Sequence, residues 1–220
     1  MSLYLKKFVQ DAAIGIWEIN ESEDELYQQL NLSAEEEKIF SSLKTATRKQ
    51  HWLSYRMILP FLIHESQLNT ISYDEFGKPY LNNGVRHISV SHSGKFSALI
   101  SSPTHSVGID IERIEKKIHK ICHKFLNEKE IAYLGPNAGI NSLYTIWVAK
   151  EALFKLHGKR DIRFRDDIYI EPFESSDSGT VYGTIFADPA PKTVAVNYQI
   201  MDGYNLAYAI DRFPAPFFFI

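Results

Sequence analysis

The sequence is poor in cysteine and has no long apolar segment. Its 220 residues contain one cysteine, Cys122, so no disulfide can form within the chain. A lone thiol is typical of proteins from a reducing compartment, and we expect a cytoplasmic protein in which Cys122 is buried. No run approaches the roughly 18 apolar residues of a membrane-spanning helix, and the first residues lack the pattern of a signal peptide. We therefore expect no membrane partner.

The sequence also lacks an excess of positive charge and several common ligand-binding motifs. Its net charge is −3, which argues against a broad nucleic-acid-binding surface. There is no GxxxxGK[ST] loop, no GxGxxG and no GxSxG elbow, and no cluster of Cys and His points to zinc. These absences exclude P-loop nucleotide binding, dinucleotide binding and serine-hydrolase chemistry.

Helices and strands recur in two similar blocks. Each block has a long helix followed by a hairpin: residues 48–65 with 87–101, and residues 142–159 with 192–210. This order predicts an α+β fold with two similar halves, 1–103 and 104–220, each a long helix packed on a small, mainly antiparallel sheet. We expect a pseudo-twofold relation between the halves, an active site in the cleft between them, and a monomer, because two halves complete the cleft.

Two carboxylates in the second half are the strongest single chemical signal. Asp110 and Glu112 alternate with isoleucines on a strand predicted at 107–114, so both carboxylates lie on one side of a half-buried strand. Oxygen ligands of this kind suit Mg²⁺. The alternative is a pair of solvated strand residues.

The helix WVAKEALFKLHGK, residues 147–159, carries further charge. One face is an apolar stripe, and the other mixes large aromatics with charges: Trp147, Lys150, Glu151, Phe154 and Lys155. This composition predicts a face that lines a cleft, where Glu151 would be a third oxygen ligand if the helix crosses the strand. The alternative is a surface helix with a Glu151–Lys155 pair at i, i+4.

The first half offers cations and a histidine. Arg48, Lys49 and Arg56 lie on its long helix, where they form either a site for an anionic ligand or a solvated basic face. Ser91 and His92 end the first arm of a hairpin. The histidine is either structural or a contact for a phosphate.

Five motifs occur in an order that resembles the 4′-phosphopantetheinyl transferases: GKPYL at 77–81, ISVSHSG at 88–94, GIDIE at 108–112, FLNEKEIAYL at 125–134 and WVAKEALFKLHGK at 147–159. The resemblance is to the longer, pseudo-dimeric type that activates peptide and polyketide synthases. It implies transfer of the 4′-phosphopantetheine of coenzyme A to a serine hydroxyl of an apo acyl or peptidyl carrier protein. The reaction would depend on Mg²⁺ and release adenosine 3′,5′-bisphosphate.

The resemblance also implies a role for individual residues. The metal ligands would be Asp110, Glu112 and Glu151. The residues near coenzyme A would be Lys78 at the nucleotide, Ser91 and His92 at the phosphates, Lys155 at the pyrophosphate, and Arg48, Lys49 or Arg56 at the 3′-phosphate. Lys155 and His92 would offset developing charge. Glu151 would accept the proton of the carrier serine, with Glu130 as the second candidate.

Two other functions are compatible with the same residues. One is a different Mg²⁺-dependent phosphotransferase or pyrophosphatase, which would use the same carboxylates. The other is a non-catalytic module that binds coenzyme A or a carrier protein, although binding alone does not require three carboxylates and a lysine. A basic stretch, residues 119–124, is a candidate dock for an acidic carrier protein.

Overall fold

The computed structural model describes residues 3–63, 70–82, 84, 86–159, 161–187 and 189–211. The chain divides into two compact units, unit 1 at Met1–His105 and unit 2 at Ser106–Ile220. Each unit contains one antiparallel sheet and one long helix, which confirms the predicted α+β class. Among the helices in the described ranges, none is long and apolar enough to cross a membrane.

Unit 1 begins with two strands, continues with three helices and ends with four strands. The elements are β1 (Leu3–Val9), β2 (Ala12–Glu18), α1 (Glu23–Gln28), α2 (Ala34–Ser42), α3 (Ala46–Leu62), β3 (Ile71–Tyr73), β4 (Pro79–Leu81), β5 (His87–Ser93) and β6 (Phe96–Ser102).

Unit 2 begins with one strand, continues with helices and ends with four strands. The elements are β7 (Val107–Arg113), α4 (Ile118–Ile121), a 3₁₀ turn (Cys122–Lys124), α5 (Glu128–Leu134), α6 (Ile140–His157), β8 (Ile168–Ile170), β9 (Ser178–Ile185), β10 (Lys192–Met201) and β11 (Tyr204–Ile210).

The two sheets share one strand order. The sheet of unit 1 runs β1-β2-β6-β5-β4-β3, and that of unit 2 runs β7-β11-β10-β9-β8. Without β1, the first order matches the second strand for strand. Among the described strands, β1 pairs with β2 alone. It was not predicted, because its two adjacent lysines break the alternation of a half-buried strand.

Local sequence signals set the helix ends. Ser33 and Glu36 form a capping box at the start of α2, as the sequence S-A-E-E predicts, and Asn127 and Glu130 form another at the start of α5. Helix α6 begins two residues before the predicted start and ends at Gly158, whose φ of 78° provides the left-handed cap.

The long helix of each unit packs on its own sheet. In unit 2, the predicted apolar stripe of α6 is buried: Val148, Ala149, Ala152, Leu153 and Leu156. These side chains join alanines of β11 and valines of β9 and β10 in one core. Helix α3 packs on the sheet of unit 1 in the same way. Cys122 is only partly buried and its thiol lies 3.3 Å from the His119 carbonyl, so the expectation of a buried thiol is wrong.

Candidate active site

Strand β7 and helix α6 approach each other unusually closely at Gly108. A Cβ atom on Gly108 would lie 1.9 Å from the backbone oxygen of Ala152 and 2.8 Å from the nitrogen of Leu156. Such distances are far inside van der Waals contact, so only glycine fits at this position. The glycine of GIDIE therefore allows the helix backbone to lie directly on the strand that carries the two carboxylates.

Asp110 and Lys155 meet at this crossing. Asp110 follows Gly108 by two residues and therefore lies on the same face of β7. The residue is 3% exposed. Its Oδ1 accepts a hydrogen bond of 2.7 Å from Lys155 Nζ, which also donates to the Ile109 carbonyl at 3.1 Å. Glu151 was the alternative partner of Lys155, at i, i+4 on the helix surface, but Lys155 forms its ion pair with Asp110 of the strand.

Glu151 belongs to the same electrostatic cluster. Burial, followed by repulsion from Asp110, raises the pKa of Glu151 to about 7, with Lys155 opposing the shift and Glu112 adding to it. Glu112 is half-buried and pairs with Asn205 across the β7–β11 ladder. Three carboxylates and one ammonium group thus interact electrostatically where α6 crosses β7.

The donor set of this cluster suits Mg²⁺. All three acidic groups offer oxygen atoms, which hard cations prefer. Their mutual repulsion, visible in the raised pKa of Glu151, is the kind of cost that a divalent cation offsets. Within the described ranges, however, no three His, Cys, Asp or Glu side chains are already gathered in a geometry that could hold a metal. Lys155 contacts Asp110 instead.

The two aromatic residues of this face of α6 pack partly against the rest of unit 2, and its first lysine is buried. Trp147 contacts Phe125 and Phe164, with ring centroids 5.0 and 5.3 Å apart, and Phe154 contacts Phe164 at 6.2 Å. Lys150 is fully buried and forms an ion pair of 2.7 Å with Glu130.

Glu130 is also fully buried. Its carboxylate accepts hydrogen bonds from the backbone N–H groups of Asn127 and Ile170, both at 2.9 Å, in addition to Lys150. Because these donors occupy both oxygens and the side chain is inaccessible, the geometry argues against Glu130 as the base.

In unit 1, Ser91 and His92 lie on β5. Ser91 is buried, whereas His92 is exposed and stacks on His51 of α3, with ring centroids 4.4 Å apart and an angle of 16° between the planes. His51 Nε2 lies 2.8 Å from the Gly94 carbonyl. Since a carbonyl only accepts, Nε2 carries the proton. The stacking partner was not predicted, because residues 41 positions apart in sequence give no local signal.

Lys78 lies in the turn between β3 and β4. Its backbone N–H donates to Asp74 Oδ1 at 2.8 Å, and its carbonyl accepts from the Asp74 N–H at 3.0 Å. Burial, followed by the nearby charges of Lys78 and His105, lowers the pKa of His87. The GKP turn therefore places the Lys78 ammonium close enough to His87 for the two groups to interact electrostatically.

The three cations predicted at the 3′-phosphate have different environments. Arg56 is 3% exposed, pairs with Glu36 at 2.9 Å and lies over the Trp52 ring at 3.2 Å. The burial of Arg56 and its bonds within unit 1 argue against its predicted contact with coenzyme A. Lys49 pairs with Glu23 at 2.9 Å, whereas Arg48 is exposed on the first turn of α3.

Comparison with known proteins connects this cluster with one family. The sequence model of the 4′-phosphopantetheinyl transferase superfamily matches residues 106–209, the range that contains β7, α5 and α6. This match covers 104 of the 220 residues, so slightly under half of the chain resembles the superfamily. The match includes three of the five motifs, and the motifs at 77–81 and 88–94 precede it.

Individual members of the superfamily are similar over parts of the chain. The 4′-phosphopantetheinyl transferase gsp of Aneurinibacillus migulanus is 36% identical over 89 residues, 39% of this chain and 37% of that protein. A putative 4′-phosphopantetheinyl transferase of Synechocystis is 30% identical over 146 residues, 60% of this chain and 59% of that protein. The transferase AcpT of Escherichia coli is 30% identical over 117 residues, 50% and 59%. The matched segments thus span between about a third and three fifths of these relatives.

Proposed function

We propose that this protein is a 4′-phosphopantetheinyl transferase, which transfers the 4′-phosphopantetheine group of coenzyme A to a serine hydroxyl of an apo acyl or peptidyl carrier protein. One observation carries the proposal. Helix α6 lies directly on β7 at Gly108, and the charged cluster formed there by Asp110, Glu112, Glu151 and Lys155 falls within the range that matches the family. Breaking the diphosphate of coenzyme A requires positioning and charge stabilisation, which such a cluster provides.

Each residue of the cluster has a proposed task. Asp110, Glu112 and Glu151 would hold Mg²⁺, which would neutralise charge on the diphosphate oxygens. The Lys155 ammonium, which now contacts Asp110, would contact the diphosphate and offset the charge that develops on the leaving group. Glu151 would accept the proton of the carrier serine, because its raised pKa of about 7 allows the carboxylate to take up a proton near neutral pH.

The remaining assignments are also proposals. Lys78, Ser91 and His92 would bind the nucleotide and phosphates of the same coenzyme A, and Arg48 is the exposed candidate for the 3′-phosphate. The pseudo-twofold relation of the halves, the cleft between them, the monomeric state and the cytoplasmic location stay predictions of the sequence. The shared strand order of the two sheets supports the idea of two related halves.

The decisive experiment measures the mass of candidate carriers. The protein is incubated with coenzyme A, Mg²⁺ and apo carriers of the fatty-acid, polyketide and peptide classes. A mass increase equal to one phosphopantetheine, together with release of adenosine 3′,5′-bisphosphate, is expected for at least one class. Free phosphopantetheine with no gain in carrier mass would favour a hydrolytic function. Tight binding without any bond cleavage would favour a binding module.

The role of Glu151 as base needs its own variant. Glu151→Gln keeps the size of the side chain but cannot take up the serine proton. We expect carrier loading to fall by about 100-fold or more. Near-normal turnover would remove Glu151 from this role, and titrating Mg²⁺ in the same assay would show whether the loss comes from metal affinity.

A further inference from the structure

Each unit contains a buried ion pair that ties its long helix to a neighbouring helix start and to a sheet strand. We call these the unit 1 clasp, Glu36 with Arg56, and the unit 2 clasp, Glu130 with Lys150. In both clasps, the glutamate precedes its cationic partner by 20 residues. All four side chains are nearly or fully buried, with exposures of 7% or less.

The two clasps share their connections as well as their spacing. Glu36 occupies the third position of α2 and accepts from the Ser33 N–H at 3.1 Å, and its other bonds reach Arg56 on α3 and the Ile71 N–H on β3. The corresponding bonds of Glu130 reach the Asn127 N–H, Lys150 on α6 and the Ile170 N–H on β8. One carboxylate therefore fixes three elements in each unit.

Only the unit 2 clasp is next to reactive groups. Lys150 directly precedes Glu151 on α6, and Lys155 lies about one and a half turns further along the helix. Holding Lys150 at a fixed depth also fixes the rotation of α6 about its axis. That rotation determines whether Glu151 and Lys155 face Asp110, because neighbouring positions on a helix point about 100° apart.

We propose that Glu130 is a positioning residue that, through its ion pair with Lys150, sets the rotation of α6 and so places Glu151 and Lys155 at Asp110. This inference deepens the proposed function and rests on it for the chemistry that the helix performs. The placement itself is a statement about the fold. Glu130 then needs no contact with the substrate, which agrees with its complete burial.

A pair of substitutions separates positioning from proton transfer. Glu130→Gln leaves the Lys150 ammonium buried without its counter-ion, so α6 should shift or loosen. The loss in kcat should be about 100-fold, as expected when reacting groups are misplaced by about 1 Å. Adding Lys150→Met removes the buried charge, and an apolar side chain of similar length can keep position 150 at the same depth by packing instead of by the ion pair. The double variant Glu130→Gln/Lys150→Met should regain most of the lost kcat, which a missing base could not do.

Hydrogen exchange of the amides in 147–157 tests the placement without any assay of transfer. Faster exchange is expected in Glu130→Gln and near wild-type exchange in the double variant. Glu36→Gln in the unit 1 clasp is the matched control, and we expect it to lower the melting temperature while kcat per folded molecule and exchange in 147–157 stay unchanged.

The outcomes distinguish the two proposals. A double variant as inactive as Glu130→Gln, although its α6 exchanges like wild type, would overturn the positioning role. So would unchanged exchange in Glu130→Gln. If the wild-type protein loads no carrier, the proposed function fails, and the exchange measurements still decide whether Glu130 fixes the helix.

Discussion

The long helix crosses a strand at a glycine in both units, but the side chains at the crossing are apolar in unit 1 and charged in unit 2. In unit 1, a Cβ atom on Gly15 of β2 would lie 2.2 Å from Ile58 of α3. In unit 2, a Cβ atom on Gly108 of β7 would lie 1.9 Å from Ala152 of α6. Strands β2 and β7 occupy equivalent places in the two sheet orders. The glycine and its facing helix residue therefore align the two crossings residue by residue.

When the two crossings are aligned on the glycine and on the helix residue that faces it, apolar residues of unit 1 correspond to charged residues of unit 2. On the strand, the residue two positions after the glycine is Trp17 in unit 1 and Asp110 in unit 2. On the helix, the residue three positions after the one that faces the glycine is Phe61 in unit 1 and Lys155 in unit 2. Trp17 and Phe61 form a ring contact, with centroids 6.1 Å apart, where Asp110 and Lys155 form their ion pair.

A third pair of equivalent positions also has an apolar residue in unit 1 and a charged residue in unit 2. The residue before the facing helix residue is Met57 in unit 1 and Glu151 in unit 2. In both units, the helix therefore lies close to the strand at a glycine. The side chains at three neighbouring positions determine whether the crossing is an apolar contact or a charged cluster.

The largest effect should come from removing the charge of Asp110. Asp110→Asn keeps the size of the side chain but weakens the ion pair with Lys155 and removes an anionic ligand. We expect carrier loading, measured by mass spectrometry, to fall by about 100-fold or more. Its counterpart in unit 1 is Trp17→Phe, which should lower stability but leave loading per folded molecule unchanged. Equal losses of loading in both variants would mean that the two crossings do not differ in chemistry.

A second prediction compares the two glycines. In Gly108→Ala, the new Cβ meets backbone atoms of α6, which cannot move aside without shifting the helix. In Gly15→Ala, the nearest atom is a side-chain methyl group of Ile58, which has more freedom to yield. We expect Gly108→Ala to lower the free energy of unfolding by about 3 kcal/mol and Gly15→Ala by less. Urea denaturation measures both, and the reverse order would contradict the comparison.

Local signals made much of this frame predictable from sequence. The capping box at Ser33, the cap at Asn127 and the hairpin at Gly94 each depend on residues close together in sequence, so the sequence pattern alone predicts them. The strand and helix that carry Asp110, Glu151 and Lys155 were predicted for the same reason. Their meeting needed the close approach at Gly108, which sequence spacing alone does not indicate.

The errors concern charged residues whose partners are distant in sequence. Arg56 and Lys150 look like ordinary surface cations in a helical pattern, yet each is buried and forms an ion pair with a glutamate 20 residues earlier in the sequence. Burial of a charge depends on a tertiary partner, and a single helix carries no sign of it. The equal spacing of the two pairs is a signal that could have been found, by searching one half for the charge pattern of the other.

A third prediction replaces the charged residue of α6 with its counterpart from unit 1. Glu151→Met removes a half-buried carboxylate that is repelled by Asp110 and Glu112. We expect the free energy of unfolding at neutral pH to rise by about 1 kcal/mol, while carrier loading is lost, because active sites commonly sacrifice stability for chemistry. Thermal unfolding in metal-free buffer measures the first effect. A less stable variant would show that the carboxylate supports the fold of unit 2.

The smallest effect concerns an acidic group of unit 1 that lies outside the crossing. Burial alone would raise the pKa of Asp11, but hydrogen bonds from Thr104, His105 and Ser102 outweigh burial and hold it well below its ordinary value near 3.8. Because the pKa is depressed in the folded state, the stabilisation is present above pH 4 and is lost as the pH falls further.

Asp11→Asn should therefore lower the free energy of unfolding by about 1 kcal/mol at pH 7 and by less at pH 3. Urea denaturation at the two pH values measures the difference, and carrier loading at pH 7 should be unchanged per folded molecule. An equal effect at both pH values would mean that these hydrogen bonds do not depend on the ionised carboxylate. A loss of loading would show that the charges of unit 1 outside the crossing also contribute to the reaction.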